Sequence, residues 1–82
     1  MTFKVGDIVQ SKSGHDAKKY FIVIATLNEN YILIADGKSR KFECPKQKNV
    51  KHVKLIEEAN GAEAYVDDKS IADRLVKLDT VE

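Results

Sequence analysis

Apolar and polar positions change rhythm twice along this chain of 82 residues. Residues 5–10, VGDIVQ, are short and β-branched behind a Gly6-Asp7 opening, which predicts a first strand. Residues 11–18 are polar around Gly14 and read as a loop. Residues 20–27, YFIVIATL, hold aromatic and β-branched side chains without a breaker, the strongest strand signal in the chain. The LNEN segment at 27–30 predicts a turn, because asparagine hydrogen-bonds its own backbone and tolerates positive φ. Residues 31–35 form the partner strand. Asp36-Gly37 fits a type I′ hairpin turn, with residues 39–43 returning as a third hairpin strand. Pro45 has no N–H to give a ladder and ends the pairing. Residues 46–49 read as a polar, basic loop, and residues 50–56 as a closing strand with Val53 and Leu55 on one face and Lys54 on the other. Five short strands joined by tight turns predict a small, mainly β barrel, a closed form without exposed edges.

The tail follows a different period. Asn60-Gly61 is a turn signal between acidic flanks. From Asp68 onward Ile71, Leu75 and Leu78 fall at i, i+4 and i+7, one face of a short helix that Asp67 or Asp68 can cap. Asp73 and Lys77 are spaced for an i,i+4 ion pair. About ten residues of helix are marginal alone in water, so this one is expected to pack on the barrel, over an end or an edge. The organisation expected is a barrel over residues 1–56 and an acidic linker with a packed helix over residues 57–82, one domain overall.

Composition narrows the class. With 43% hydrophobic and 33% charged residues the chain is neither disordered nor membrane-like in character, and no apolar run approaches the length needed to span a bilayer. The opening Met1-Thr2-Phe3-Lys4 lacks the apolar core of a secretory signal, and the single cysteine, Cys44, excludes an internal disulfide framework. Both predict a cytoplasmic protein. The net charge of +1 conceals a division: residues 1–54 carry eleven Lys/Arg against five Asp/Glu, and residues 55–82 carry three against eight. A basic working surface and an acidic appendage are the expectation.

The basic residues concentrate in connections. Lys12, His15, Lys18 and Lys19 belong to the first loop, Lys38, Arg40 and Lys41 follow the 36–37 turn, and Lys46, Lys48 and Lys51 lie around the fourth connection. A lysine-rich surface is often merely solvated. On a small barrel, however, the same clusters are candidate phosphate contacts; if Lys18 and Lys19 approach the 38–41 group, about five to eight phosphates could be neutralised. Aromatic rings that stack unpaired bases are the natural complement. Tyr20, beside Lys18 and Lys19, is the best candidate, with Tyr31 and Phe42 behind it; Phe21 and Phe42 are better suited to the core.

The order and spacing of G-D-I-V at 6–9, S-G at 13–14 and A-D-G at 35–37 around two apolar strands resembles the KOW-domain RNA-binding family. The motif itself would cover residues 5–26. The fuller likeness, to about Leu55, is to small bacterial KOW proteins similar to a KOW-bearing large-subunit ribosomal protein. The resemblance implies a five-stranded SH3-like barrel with structural turns at Gly6, Gly14 and Gly37. It also implies RNA, ribosomal by that likeness, as the partner and a place in translation, and it is the sole reason to prefer RNA over DNA. One position departs from the pattern. Where the family places a second loop glycine, four residues after Gly14, this chain has Lys18, a residue that adopts positive φ poorly.

Catalysis is not expected. Gly14 to Lys18 lacks the second glycine and the Lys-Ser/Thr of a phosphate-binding P-loop. Cys44 with His15 or His52 has no spacing that supports a nucleophile and base, and two histidines with one cysteine are too few for a zinc site. Asp67-Asp68 is explained by helix capping. No cofactor, metal or membrane is implied. The competing reading is a protein-interaction module that uses the barrel edge and the 68–78 helix.

Overall fold

The computed structural model describes residues 3–12, 17–59 and 67–79, the last three by backbone alone. Gly14, His15 and Asn60-Gly61 lie outside the described residues, as do the side chains of Lys77 and Leu78. Strands β1 (Ile8–Ser11), β2 (Tyr20–Thr26), β3 (Tyr31–Ala35), β4 (Lys46–Asn49) and β5 (Val53–Glu57) form one antiparallel sheet in the order β4-β3-β2-β1-β5, followed by helix α1 (Asp68–Asp79).

The order and one short connection fix the shape of this sheet. β4 and β5 stand at its two ends, yet only the 3-10 turn Val50–His52 separates them. A flat sheet would hold its end strands about 19 Å apart, whereas such a turn advances only about 2 Å per residue. The sheet therefore curls until its ends approach, helped by bulges at Ile8/Val9 and Val23/Ala25. No ladder joins β4 to β5 among the described residues, so the sheet is open in its hydrogen bonding.

Two cores lie on its two faces. Phe3, Val9, Phe21, Val23, Ile32, Ile34 and Val53 fill one, with Val50 and Leu55 at its margin. Ile8, Ile22 and Ala35 meet Ile71 and Leu75 of α1 in the other, with Tyr20, Ile24, Phe42 and Ile56 packed around them. This explains why β2 is apolar throughout instead of alternating. Phe21 and Val23 serve one face, and Tyr20, Ile22 and Ile24 the other. Helix α1 thus covers a face of β1 and β2, not an end or edge of the sheet. Burying Ile71 and Leu75 contributes about 4 kcal/mol in all, enough to hold a twelve-residue helix that is marginal by itself.

Four segments differ from the pattern-based expectation. Residues 46–49, expected as a loop because KQKN has no apolar residue, are edge strand β4, pairing Tyr31↔Asn49, Ile32↔Lys48, Leu33↔Gln47 and Ile34↔Lys46. The ladder needs only backbone, and lysines on an edge strand discourage pairing with other chains. Residues 39–43 are not a strand. The Asp36 carboxylate accepts the N–H groups of Lys38 and Arg40, each at 2.8 Å, and the Ser39 hydroxyl at 3.0 Å, so the chain curls on itself. Among the described non-glycine residues only Lys18 has positive φ, so Asp36-Gly37 is not a type I′ turn, although Gly37 does take φ +78. Finally, β1 begins at Ile8 and runs through Ser11, after a Val5-Gly6 turn with Gly6 at φ +96. The closing strand likewise begins at Val53, after the 3-10 turn.

Asp7 locks that turn in place. It is 1% exposed, and its carboxylate accepts the N–H of Lys4 and, 52 residues away, the N–H of Ala59, each at 2.8 Å. In Asp7→Asn an amide NH2 would face one of these donors. A lost charge-assisted bond and an unpaired buried N–H should lower stability by about 2 kcal/mol, measured as a fall in the urea midpoint at unchanged m-value.

Candidate nucleic-acid interface

The first loop closes on β1 and β2. Lys18 N–H donates to the Ser11 carbonyl at 2.8 Å, Ser11 N–H donates to the Lys19 carbonyl at 3.0 Å, and Gln10 Nε2 donates to the Lys18 carbonyl at 3.1 Å. Lys18 itself adopts φ +70, so lysine takes the left-handed conformation that glycine would supply more cheaply. Lys18→Gly should relieve about 1–2 kcal/mol of left-handed strain. Glycine's greater chain entropy offsets roughly half of that. The expected result is a variant about 0.5–1 kcal/mol more stable in urea unfolding, despite losing a surface charge.

The second loop docks on the helix. Gly37 lies so close to α1 that a Cβ there would sit 2.3 Å from the Asp68 carbonyl oxygen and 3.0 Å from the Ala72 nitrogen. Phe42 N–H donates to Asp68 Oδ1 at 2.6 Å, which ties the far end of the loop to the same helical turn. Asp67 is the helix cap, its carboxylate accepting the Ser70 N–H at 2.8 Å. Ser70, chiefly through that N–H and then through its side chain, holds the Asp67 carboxyl below the ordinary aspartate range, with Lys69 adding to the effect. Arg74 bonds Glu57 and fastens α1 to the end of β5.

These contacts bring two loops and one helix around a cleft of about 330 Å³. Lys18, Lys19 and Tyr20 line it from the first loop and β2, Asp36, Lys38 and Ser39 from the second loop, and Ala72, Leu75 and Val76 from α1. Lys18 and Lys19 thus share the lining of one cleft with Lys38 of the second basic cluster. Arg40 is half-buried and Lys41 exposed further along that loop, and neither lines the cleft. Lys46 and Lys48 are opposite Ile34 and Ile32 and so project on the sheet face away from α1. Lys12 donates its backbone N–H to the His52 carbonyl, beside exposed Lys51, in a separate basic group at the 3-10 turn.

Tyr20 is half-buried at the edge of the helix-covered core, whereas Tyr31 is 36% exposed on β3 and distant in register from the cleft residues. Phe21 is fully buried, and Phe42 is half-buried against the Ile71–Leu75 cluster. Pattern reading missed Lys54. The pairings Gln10↔Tyr20 and Gln10↔Lys54 put it in the same cross-strand row as Tyr20, two strand spacings or about 10 Å away. Its alternation with Val53 and Leu55 was visible in the sequence, but the row it joins depends on the strand register. Val76, 43% exposed off the Ile71–Leu75 stripe, was the other available signal.

Cys44 is an exposed free thiol. Among the described residues no group of three or more His, Cys, Asp or Glu gathers as a metal site, and no helix is long and apolar enough to cross a membrane. Neither a protein-family model nor a curated protein matches the chain.

Proposed function

We propose that this is a small, non-enzymatic, cytoplasmic RNA-binding protein, a KOW-type SH3-like barrel that associates with ribosomal particles and grips RNA phosphates with its basic loops. The observation that carries the reading is the convergence of Lys18, Lys19 and Lys38 around Tyr20 in one cleft. Three cations from separate loops on one surface repel one another, and a bound anion would relieve that repulsion. The strand order, the curl imposed by the 3-10 connection and the charge division between residues 1–54 and 55–82 support it further. Three cleft lysines predict a footprint of about three phosphates per cleft, and a slope near −2 in a plot of log affinity against log salt for single strands.

Sedimentation of cell extract at low and high salt tests the ribosomal part. The protein should travel with ribosomal particles at low salt and leave them at high salt. Its absence from them at low salt overturns that part while purified-RNA binding is judged separately.

The second reading, a protein-interaction module, is favoured by one observation: β4 ends the sheet with an outer edge that a partner strand could join, against the discouragement of Lys46 and Lys48. The helix serves it less well, since Ile71 and Leu75 already face the sheet. Salt-insensitive capture of a polypeptide, abolished by proline substitution in β4, would favour this reading over the first.

A further inference from the structure

We infer that the cleft seats the base of one unpaired nucleotide against Tyr20 and the apolar side of α1, with that nucleotide's phosphate and the adjoining phosphates of the strand among Lys18, Lys19 and Lys38. The inference rests on the RNA-binding reading above and specifies what that site holds. It also makes the helix of the acidic tail part of the RNA surface, where the charge division alone would set it apart.

The two walls of the cleft are chemically unlike. Among the described residues, the three lysines come from the loop side and α1 contributes Ala72, Leu75 and Val76 to the lining. A duplex keeps its bases stacked inside and offers a protein phosphates and sugar edges, so it would use one wall and leave the other wet. An unpaired nucleotide has a charged end and a flat apolar face, and it satisfies both. Val76 is the exposed part of the apolar wall, at 43%, while Leu75 beneath it is buried. Tyr20 is half-buried, packed against the helix-side core and lining the cleft, and a tyrosine ring so placed has the amphipathic character that stacking positions use. The volume, about 330 Å³, lies at the lower end of small-ligand sites, about 300–1,000 Å³, and suits one nucleotide and not several. Among the described lining residues Asp36 is the one carboxylate, and it is turned to its own loop, accepting from Lys38, Ser39 and Arg40, so the three lysines dominate the charged end there.

The test compares three RNA probes on the full chain by fluorescence anisotropy: a short unstructured strand, an abasic strand with the same number of phosphates, and a hairpin duplex. The base-bearing strand should bind roughly tenfold more tightly than the abasic one at equal salt, a ratio expected for one stacked base, and more tightly than the duplex. Val76→Gln, at an exposed helical position, should shrink that ratio toward one while leaving the salt slope unchanged. Tyr20→Phe, which keeps the ring, should preserve it. Equal affinity for base-bearing and abasic strands, or a preference for duplex, overturns the nucleotide seat and leaves RNA binding through phosphates standing. Salt-dependent binding to none of the three overturns the RNA-binding reading itself, and the inference with it.

Discussion

Gly37→Ala is expected to destabilise the protein by about 2–4 kcal/mol and to lower its melting temperature by roughly 10–25 °C. Two costs combine. An alanine at φ +78 carries about 1–2 kcal/mol of left-handed strain. Its Cβ would also stand 2.3 Å from the Asp68 carbonyl oxygen, with the Ala72 nitrogen at 3.0 Å and the Ala72 Cβ at 3.2 Å. Two of these neighbours are backbone atoms of a helix and cannot rotate away, so the loop and α1 must separate, at a further cost typical of overpacking, about 1–3 kcal/mol. The stiffer unfolded chain returns only about 0.4–1 kcal/mol, so the sign is not in doubt. A domain of this size has only some 4–12 kcal/mol in total, and the loss is a large fraction of it. Gly6→Ala is the comparison: φ is again positive at +96, but the new Cβ meets only the Ala59 side chain, at 3.1 Å, and the drop should be smaller. Thermal unfolding followed by circular dichroism measures both. A Gly37→Ala melting temperature within a few degrees of the parent would mean that the loop does not rest on α1 as described.

That glycine also marks where pattern reading reaches its limit. β2, β3 and the Ile71–Leu75 stripe follow from short-range rules, because aromatic and β-branched runs extend and an apolar i, i+4 spacing seeks a sheet to cover. The 36–44 segment does not follow from them. The Asp36-Gly37 turn signal made residues 39–43 look like a returning strand, but Asp36 gathers the local N–H groups and Phe42 gives its N–H to Asp68, 26 residues away. A contact that distant leaves no local periodicity. β4 was hidden for the converse reason, since an edge strand of KQKN pairs by backbone and shows no apolar signature. The site was legible in part. Lys18, Lys19, Tyr20 and Lys38 stand out as basic loops beside an aromatic, but so do Lys46 and Lys48, which the ladder turns to the other face. Which lysines share a surface depends on strand register and on where the helix docks, and neither is written in residue type. Gly6 and Gly37 adopt positive φ, and Lys18 does so without being a glycine.

Lys19→Glu combined with Lys38→Glu is expected to weaken RNA binding by roughly 100-fold at moderate salt without unfolding the protein. Both side chains are exposed and come from different loops of the cleft. Each phosphate contact with a single strand releases about 0.7 counterion, so deleting two costs about 1.4 decades of affinity when salt is tenfold below the molar reference. Two carboxylates in their place add repulsion and extend the loss to about two decades. The same arithmetic predicts that the salt slope falls from near −2 to below −1 in magnitude, which distinguishes lost charge contacts from a general loss of structure. Lys18 is left intact in this variant because its φ of +70 ties it to backbone geometry, and a change there would mix folding with binding. Surface substitutions of this kind normally shift stability by less than about 0.5 kcal/mol, so the melting curve should stay close to the parent's. Lys48→Glu with Lys51→Glu carries the same change in net charge away from the cleft. If binding depended only on overall charge, the two double variants would weaken it equally. If the cleft holds the RNA, the Lys19–Lys38 pair is the worse by tenfold or more, and equal losses would remove the cleft from the interface.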